Sequence, residues 1–178
     1  VTNVLSPLMV TFDRFLIANI LTASVVAFYT TPFDVVSKLL IVAQCITNVL
    51  FPAFSTALVN NPERAKSLFV KSTLSILVLT GIPALVLMVF AHQIFTMWIN
   101  PGFAQQAAPI AQVMSFGILI NAISAVPFVF IQAKARPDIT AKFHLMEFPV
   151  YALVIWYAVH QFGLIGAAWA WVVRVSMD

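Results

Sequence analysis

Seven side chains in this sequence carry chemistry into apolar surroundings: Asp13, Arg14, Asp34, Lys38, His144, Glu147 and Arg174. Arg14 and Arg174 offer planar, always-charged groups suited to bidentate contact with a carboxylate or phosphate. Asp13 and Arg14 are adjacent, so on a helix they point about 100° apart and need separate partners. Those partners are either other helices, as buried ion pairs, or a polar cavity holding an anionic ligand. Asp34 and Lys38 are four apart and can pair on one helix face, with Tyr29 and Pro32 just before them pointing to an interfacial position. A cavity-facing Lys38 would add a cation for an anionic cargo. His144 and Glu147 are three apart, and Asp, Glu and His form proton relays in membrane proteins. Arg174 lies among Val172, Val173 and Val175 and calls for an anion: Glu147, Asp13 or a ligand.

The elements that carry these residues are set by composition. The chain has 178 residues, is 62% hydrophobic and 8% charged, and has a mean hydropathy of +1.00. Soluble domains carry about 25% charged residues. From Ser72 to Ala133 there is no Asp, Glu, Lys or Arg at all. A bilayer-spanning helix needs about 20 largely apolar residues, so that run holds two spans and a connection. Backbone in hydrocarbon must satisfy its own hydrogen bonds, as helices or closed barrels do. Blocks such as Leu74 to Phe90 show none of the alternation a barrel strand requires, which leaves an all-α, polytopic transmembrane helix bundle. The single cysteine, Cys45, excludes an internal disulfide and a cysteine metal cluster and reads as a small buried hydrophobe. The scattered charges of the +3 chain argue against nucleic acid. No metal or cofactor motif and no enzyme signature is present: no His-Glu-x-x-His, no Gly-x-Ser-x-Gly and no phosphate-binding glycine loop.

Spans are expected over Val1 to Leu21, Ser24 to Leu58, Ser67 to Trp98, Ala107 to Gln132 and Ile139 to Gln161, with a sixth starting near Leu164 and unfinished at Asp178. The second is long enough to need a kink, for which Pro32 and Pro52 are the candidates. Six of the nine Lys and Arg residues lie in or beside two connections: Arg64, Lys66 and Lys71, then Lys134, Arg136 and Lys142. The alternate connections near Ala23, Asn100 and Gln161 have none. Basic residues accumulate on the cytoplasmic side, so the start of the chain and the connections at 60–71 and 133–142 are expected there. Trp98 fits an interfacial aromatic belt. The small residues from Gly163 to Ala168 would let helices approach closely, and prolines 7, 52, 83, 127 and 149 favour a bundle that bends around a cavity.

An ordered set of short stretches carries a family resemblance. It runs from Asn3-Val4-Leu5-Ser6-Pro7 with Asp13-Arg14-Phe15, through Tyr29-Thr30-Thr31-Pro32 and Leu50-Phe51-Pro52, to Arg136-Pro137, Glu147-Phe148-Pro149 and Gly166-Ala167-Ala168-Trp169-Ala170-Trp171 with Arg174. Together these resemble the second lobe of bacterial polysaccharide and O-antigen (Wzx-type) flippases, in the multidrug/oligosaccharidyl-lipid/polysaccharide exporter superfamily. The resemblance implies that residues 1–178 form most of one six-helix lobe of a two-lobed, MATE-like transporter, a fragment of a longer chain whose first lobe is a partner. It implies flipping of undecaprenyl-diphosphate-linked oligosaccharide across the bacterial inner membrane by alternating access, with membrane lipids and other polysaccharide assembly proteins as further partners and no cofactor. Arg14, Arg174 and Lys38 become candidate diphosphate contacts, and Asp13 and Glu147 candidate ion-coupling sites. The alternatives are a cation-coupled drug exporter of the same superfamily, with a cavity of carboxylates and aromatics, and a non-transporting membrane scaffold, with every intramembrane charge satisfied inside the bundle.

Overall fold

The computed structural model describes residues 12–22, 25–134 and 137–177, with side chains described everywhere in these ranges except 137–148. Every regular element among them is a helix: α1 over 12–20, α2 Val26–Ser37, α3 Leu40–Asn60, α4 Pro62–Trp98, α5 Pro101–Ala133 and α6 Pro137–Met177. Three unbroken helices are long and apolar enough to cross a membrane, Leu40–Asn60, Pro62–Trp98 and Pro101–Ala133, and Pro149–Met177 matches them in length and composition but is broken at Gly163. The protein is a multi-pass membrane helix bundle. Pro7, Arg136 and the cytoplasmic start expected at Val1 lie outside the described residues.

The charge-free run becomes the α4–α5 hairpin. Its turn is written in the sequence as Asn100-Pro101. The Asn100 side chain caps α5 by accepting from the Phe103 N–H at 2.8 Å, and Pro101 fills a first-turn position where no N–H is required. Asn61-Pro62 repeats the device at the start of α4, with the Arg64 N–H donating to Asn61 Oδ1 at 3.0 Å. Several hydroxyls in these apolar helices donate to the carbonyl four residues back, as Thr80 does to Ile76 and Ser115 to Ala111. The hydroxyl of Thr96, also on α4, is buried without such a partner.

Helix α5 is the axis of the bundle, packed against α2, α3, α4 and α6. Its buried positions include Ala104, Ala107, Ala108, Ala111 and Ala122. Small side chains there let neighbouring backbones come close, the usual basis of helix association in lipid. One apolar cluster joins the first part of α5 to α1, α2, α4 and α6 through Ile17, Phe95, Met114, Ile118 and Ile155. A second joins its last part to α3 and α4 around Phe54, Ile76, Val126 and Phe130. In that second cluster Phe130 is met edge-on by Phe54 at 5.2 Å and by Phe69 at 5.5 Å. Residues 54 and 69 are nearly equidistant from Asn61, so α3 and α4 run antiparallel in that register.

Two breaks differ in cause from each other, and one differs from expectation. The long second span bends at Lys38-Leu39 rather than at a proline. Both Pro32 and Pro52 sit inside continuous helix, while the N–H groups of Lys38, Leu39, Ile41 and Val42 all bond three residues back. This stretch of tight turns re-aims the chain without a proline. The other break is at Gly163, as expected, where φ is +61° and ψ −139°. Past it the helix folds back on itself: Arg174 lies over the Tyr151 ring, and a Cβ on Gly166 would meet the Ala158 carbonyl oxygen. The pairs 158–166 and 151–174 straddle residue 163 almost evenly, so α6 is an antiparallel hairpin of two arms, 137–162 and 164–177. The small residues there serve contacts inside this chain.

Candidate functional site

Helix α1 carries Asp13 and Ile17 on its inward face, and both are buried. The Asp13 carboxylate is shared between two tyrosines: Tyr151 donates to Oδ1 at 2.6 Å and Tyr29 to Oδ2 at 3.2 Å. Tyr29 comes from α2 and Tyr151 from the first arm of α6, so one carboxylate ties three elements of the bundle together. Arg174, from the second arm, is 9% exposed and places its guanidinium 5.3 Å from the centre of the Tyr151 ring. Its charge acts on Asp13 across that ring, as does the charge of Arg14. Carboxylate, phenols and guanidinium therefore form one buried network in which the short hydrogen bonds end on an anion.

Beside it lies a second, more open group. Arg14 Nη2 donates to Asp34 Oδ1 at 2.9 Å, bridging α1 and α2, with the two side chains 37% and 59% exposed. The guanidinium also stands 5.8 Å from the Phe33 ring. Phe33 in turn stacks on Tyr29 at 6.3 Å and meets Trp171 edge-on at 5.6 Å. The open ion pair and the buried network are thus linked through aromatic rings.

The expected Asp34–Lys38 pair is replaced by Arg14–Asp34. The four-residue spacing permits the first, but the helix ends as Lys38 is reached and α1 brings a bidentate-capable arginine to the same carboxylate. Lys38 is exposed at the bend. Tyr29, expected at an interface, is 1% exposed and bound to Asp13. Cys45, read from sequence as a buried hydrophobe, is exposed on α3. Trp171 is buried and Trp98 exposed at the end of α4. Glu147, His144 and Lys142 lie among the residues whose side chains are not described. Among the described residues no three His, Cys, Asp or Glu side chains gather into a metal site.

Sequence reasoning did not single out Tyr151. All three tyrosines lie within apolar helices, and a buried phenol needs an acceptor; an Asp in the same bundle is the natural one. That signal was present, though spacing alone could not have matched residues 138 positions apart.

A swap experiment checks the open pair. Reversing Arg14 to Asp, or Asp34 to Arg, places like charges against each other and is expected to lower the melting temperature of the detergent-purified protein. The double reversal Arg14→Asp with Asp34→Arg is expected to restore most of the loss. Equal destabilisation by the double variant would show that the pair makes no energetic contact.

These features define a class: an all-α, multi-pass membrane helix bundle with charged groups gathered inside and along it. A family model described as "Polysaccharide biosynthesis protein" matches residues 1–99, and the chain belongs to that family. It is also 33% identical, over its whole length, to a Shigella flexneri protein named "Putative O-antigen transporter". The chain spans 42% of that relative's length. No solved structure matches the chain significantly.

Proposed function

We propose that the protein to which this lobe belongs flips a diphosphate-linked oligosaccharide lipid across the bacterial inner membrane, for surface polysaccharide synthesis. The observation that carries this reading is the ionic group on α1 and α2: Arg14 partly exposed, and Asp34 and Lys38 exposed, beside helices apolar enough to cross a membrane. A charge at mid-bilayer costs about 2.5–3.5 kcal/mol on insertion scales, so such a group belongs against water, protein or an ionic cargo. The full-length similarity to a protein named as an O-antigen transporter points to cargo.

Arg14 and Lys38 are the cations of that group, and a diphosphate would compete with Asp34 for Arg14. Exchange of one anion for another costs less than desolvating a free guanidinium, so a pre-paired arginine is a suitable receptor for a cargo that must later leave. Arg174 is buried behind Tyr151; its part in this reading is to hold the Asp13 network in register or to reach the diphosphate after a change of state. Asp13 and Glu147 are the carboxylates through which an ion gradient would couple. In this reading the basic connections at 60–71 and 133–142 face the cytoplasm, and a first lobe completes the cavity under alternating access.

Complementation of a flippase-null strain by the full-length protein tests it. Arg14→Ala and Lys38→Ala are each expected to cut surface polysaccharide about tenfold at unchanged membrane abundance, the effect of one lost charge-assisted contact. Normal polysaccharide from both would remove the diphosphate assignment. Failure of the unaltered protein to complement would remove the transport reading itself.

A further inference from the structure

Exposed polar side chains continue beyond the groups just assigned. On α3, Gln44 and Asn48 are both exposed and four residues apart, so they share a helix face. The buried face of α3 is Ala43, Leu50, Phe54 and Ala57, and that of α2 is Tyr29, Pro32 and Val36. Both buried faces turn toward the bundle, since α2 and α3 each pack against α5. Asp34, Lys38, Gln44 and Asn48 are all exposed, away from these buried faces of α2 and α3.

The depth of these amides follows from the α3–α4 register. With residues 54 and 69 level on either side of Asn61, Gln44 stands opposite about residue 78 and Asn48 opposite about residue 74. Both fall beside the charge-free stretch of α4 that begins at Ser72. They are therefore inside the apolar layer, with Asn48 near its Asn61-side border. A carboxamide with neither water nor protein against it costs several kcal/mol in hydrocarbon. Val49, one residue on, is 70% exposed and points about 100° away, where lipid suffices.

We infer that the exposed Lys38, Gln44 and Asn48 of α2–α3 form a hydrophilic track for the sugar portion of the cargo, leading from the Asn61-side border of the membrane to the Arg14–Asp34 pair. The inference rests on the transport reading and adds a binding surface to it. Each carboxamide offers two donors and a two-lone-pair acceptor, matching hydroxyls that both donate and accept. The lysine and arginine follow where the anionic diphosphate would have to come. Apolar lipid chains meet none of these groups, and a basic peptide would be repelled by Lys38.

Thiol labelling in the full-length protein tests the track. On a Cys45→Ser background, single cysteines replace Gln44, Asn48 and Val49, and a membrane-impermeant charged maleimide is applied to permeabilised cells. Thiols at 44 and 48 are expected to react about tenfold faster than at 49, because only hydrated thiols ionise and react. Their labelling is expected to slow several-fold in cells that make the lipid-linked repeat unit, relative to cells blocked in its first sugar transfer. Labelling at 44 and 48 as slow as at 49 overturns the track, whether the face is covered by lipid or by the rest of the protein. Fast labelling that the repeat unit leaves unchanged overturns its assignment to sugar. The unaltered protein is assayed for complementation in parallel. Export by it, together with either negative labelling result, sinks the track alone; lack of export removes the underlying transport reading.

Discussion

Gly166→Ala is expected to unseat the last helical arm and to give the largest loss of folded protein of any single methyl added to this bundle. A Cβ there would run into the carbonyl oxygen and carbon of Ala158. Both are backbone atoms of the opposite arm, so no rotamer change relieves the clash. The two arms must separate instead, and they carry Tyr151 and Arg174. Overpacking in a well-packed core costs about 1–3 kcal/mol when side chains can yield, and more is expected where they cannot. Gly163→Ala is the matched control. Nothing lies within 4 Å of a Cβ at that position, so its penalty is conformational only, about 1–3 kcal/mol for a backbone region that belongs almost solely to glycine. Thermal melting of the detergent-purified full-length protein should rank wild type above Gly163→Ala, and Gly163→Ala above Gly166→Ala. A Gly166→Ala protein that melts with wild type would mean that the arms do not pack as closely as described.

Asp13→Ala should produce the second large effect. The substitution removes the acceptor of two buried phenols at once and leaves Arg174 beside them without that anion. Each buried donor deprived of its acceptor costs about 1–3 kcal/mol, so a total loss of about 2–5 kcal/mol is expected. Asp13→Asn keeps one carbonyl acceptor and the shape of the side chain, and should lose much less stability. The pair of variants separates two roles. If Asp13 is structural only, Asn supports normal polysaccharide export as well as near-normal melting. If it also couples an ion, the Asn protein melts close to wild type yet fails in complementation. Tyr151→Phe, which removes the shorter of the two hydrogen bonds, should destabilise more than Tyr29→Phe. An Asp13→Ala protein as stable as wild type would show that the three-helix tie makes no net contribution.

How much of this was legible beforehand differs from element to element. The α4–α5 hairpin and its turn at Asn100 followed from the absence of charge between Ser72 and Ala133 and from an Asn-Pro pair. Both are local signals, and capping chemistry is decided within a few residues. The break at Gly163 was legible for the same reason, since its backbone conformation is available to little else. The bend at Lys38-Leu39 was not, because proline is the visible sign of a kink and a run of three-residue hydrogen bonds has none. Cys45 misled for a related reason: in a membrane protein an apolar neighbourhood in sequence does not say which face is turned to the bundle.

The site divides along the same line. Its charged members, Asp13, Arg14, Lys38 and Arg174, could be picked out by composition, because each is costly where it stands. Their pairing could not. Residue spacing suggested Asp34 with Lys38, whereas α1 lies against α2 and gives Asp34 to Arg14; likewise Asp13 goes to two tyrosines from α2 and α6 rather than to a cation.

The sequence by itself determined that this is a membrane helix bundle, roughly where its helices turn, and which residues are too polar for lipid to tolerate. Those are consequences of transfer free energy and local backbone preference, which each segment carries wherever it is. Only the tertiary structure decided which polar groups meet, since a hydrogen bond between residues 13 and 151 depends on the packing of three helices around α5 and on a fold-back at Gly163. It also decided that Asp34, Lys38, Gln44 and Asn48 are exposed, because the exposure of a helix face is set by what its opposite face is packed against.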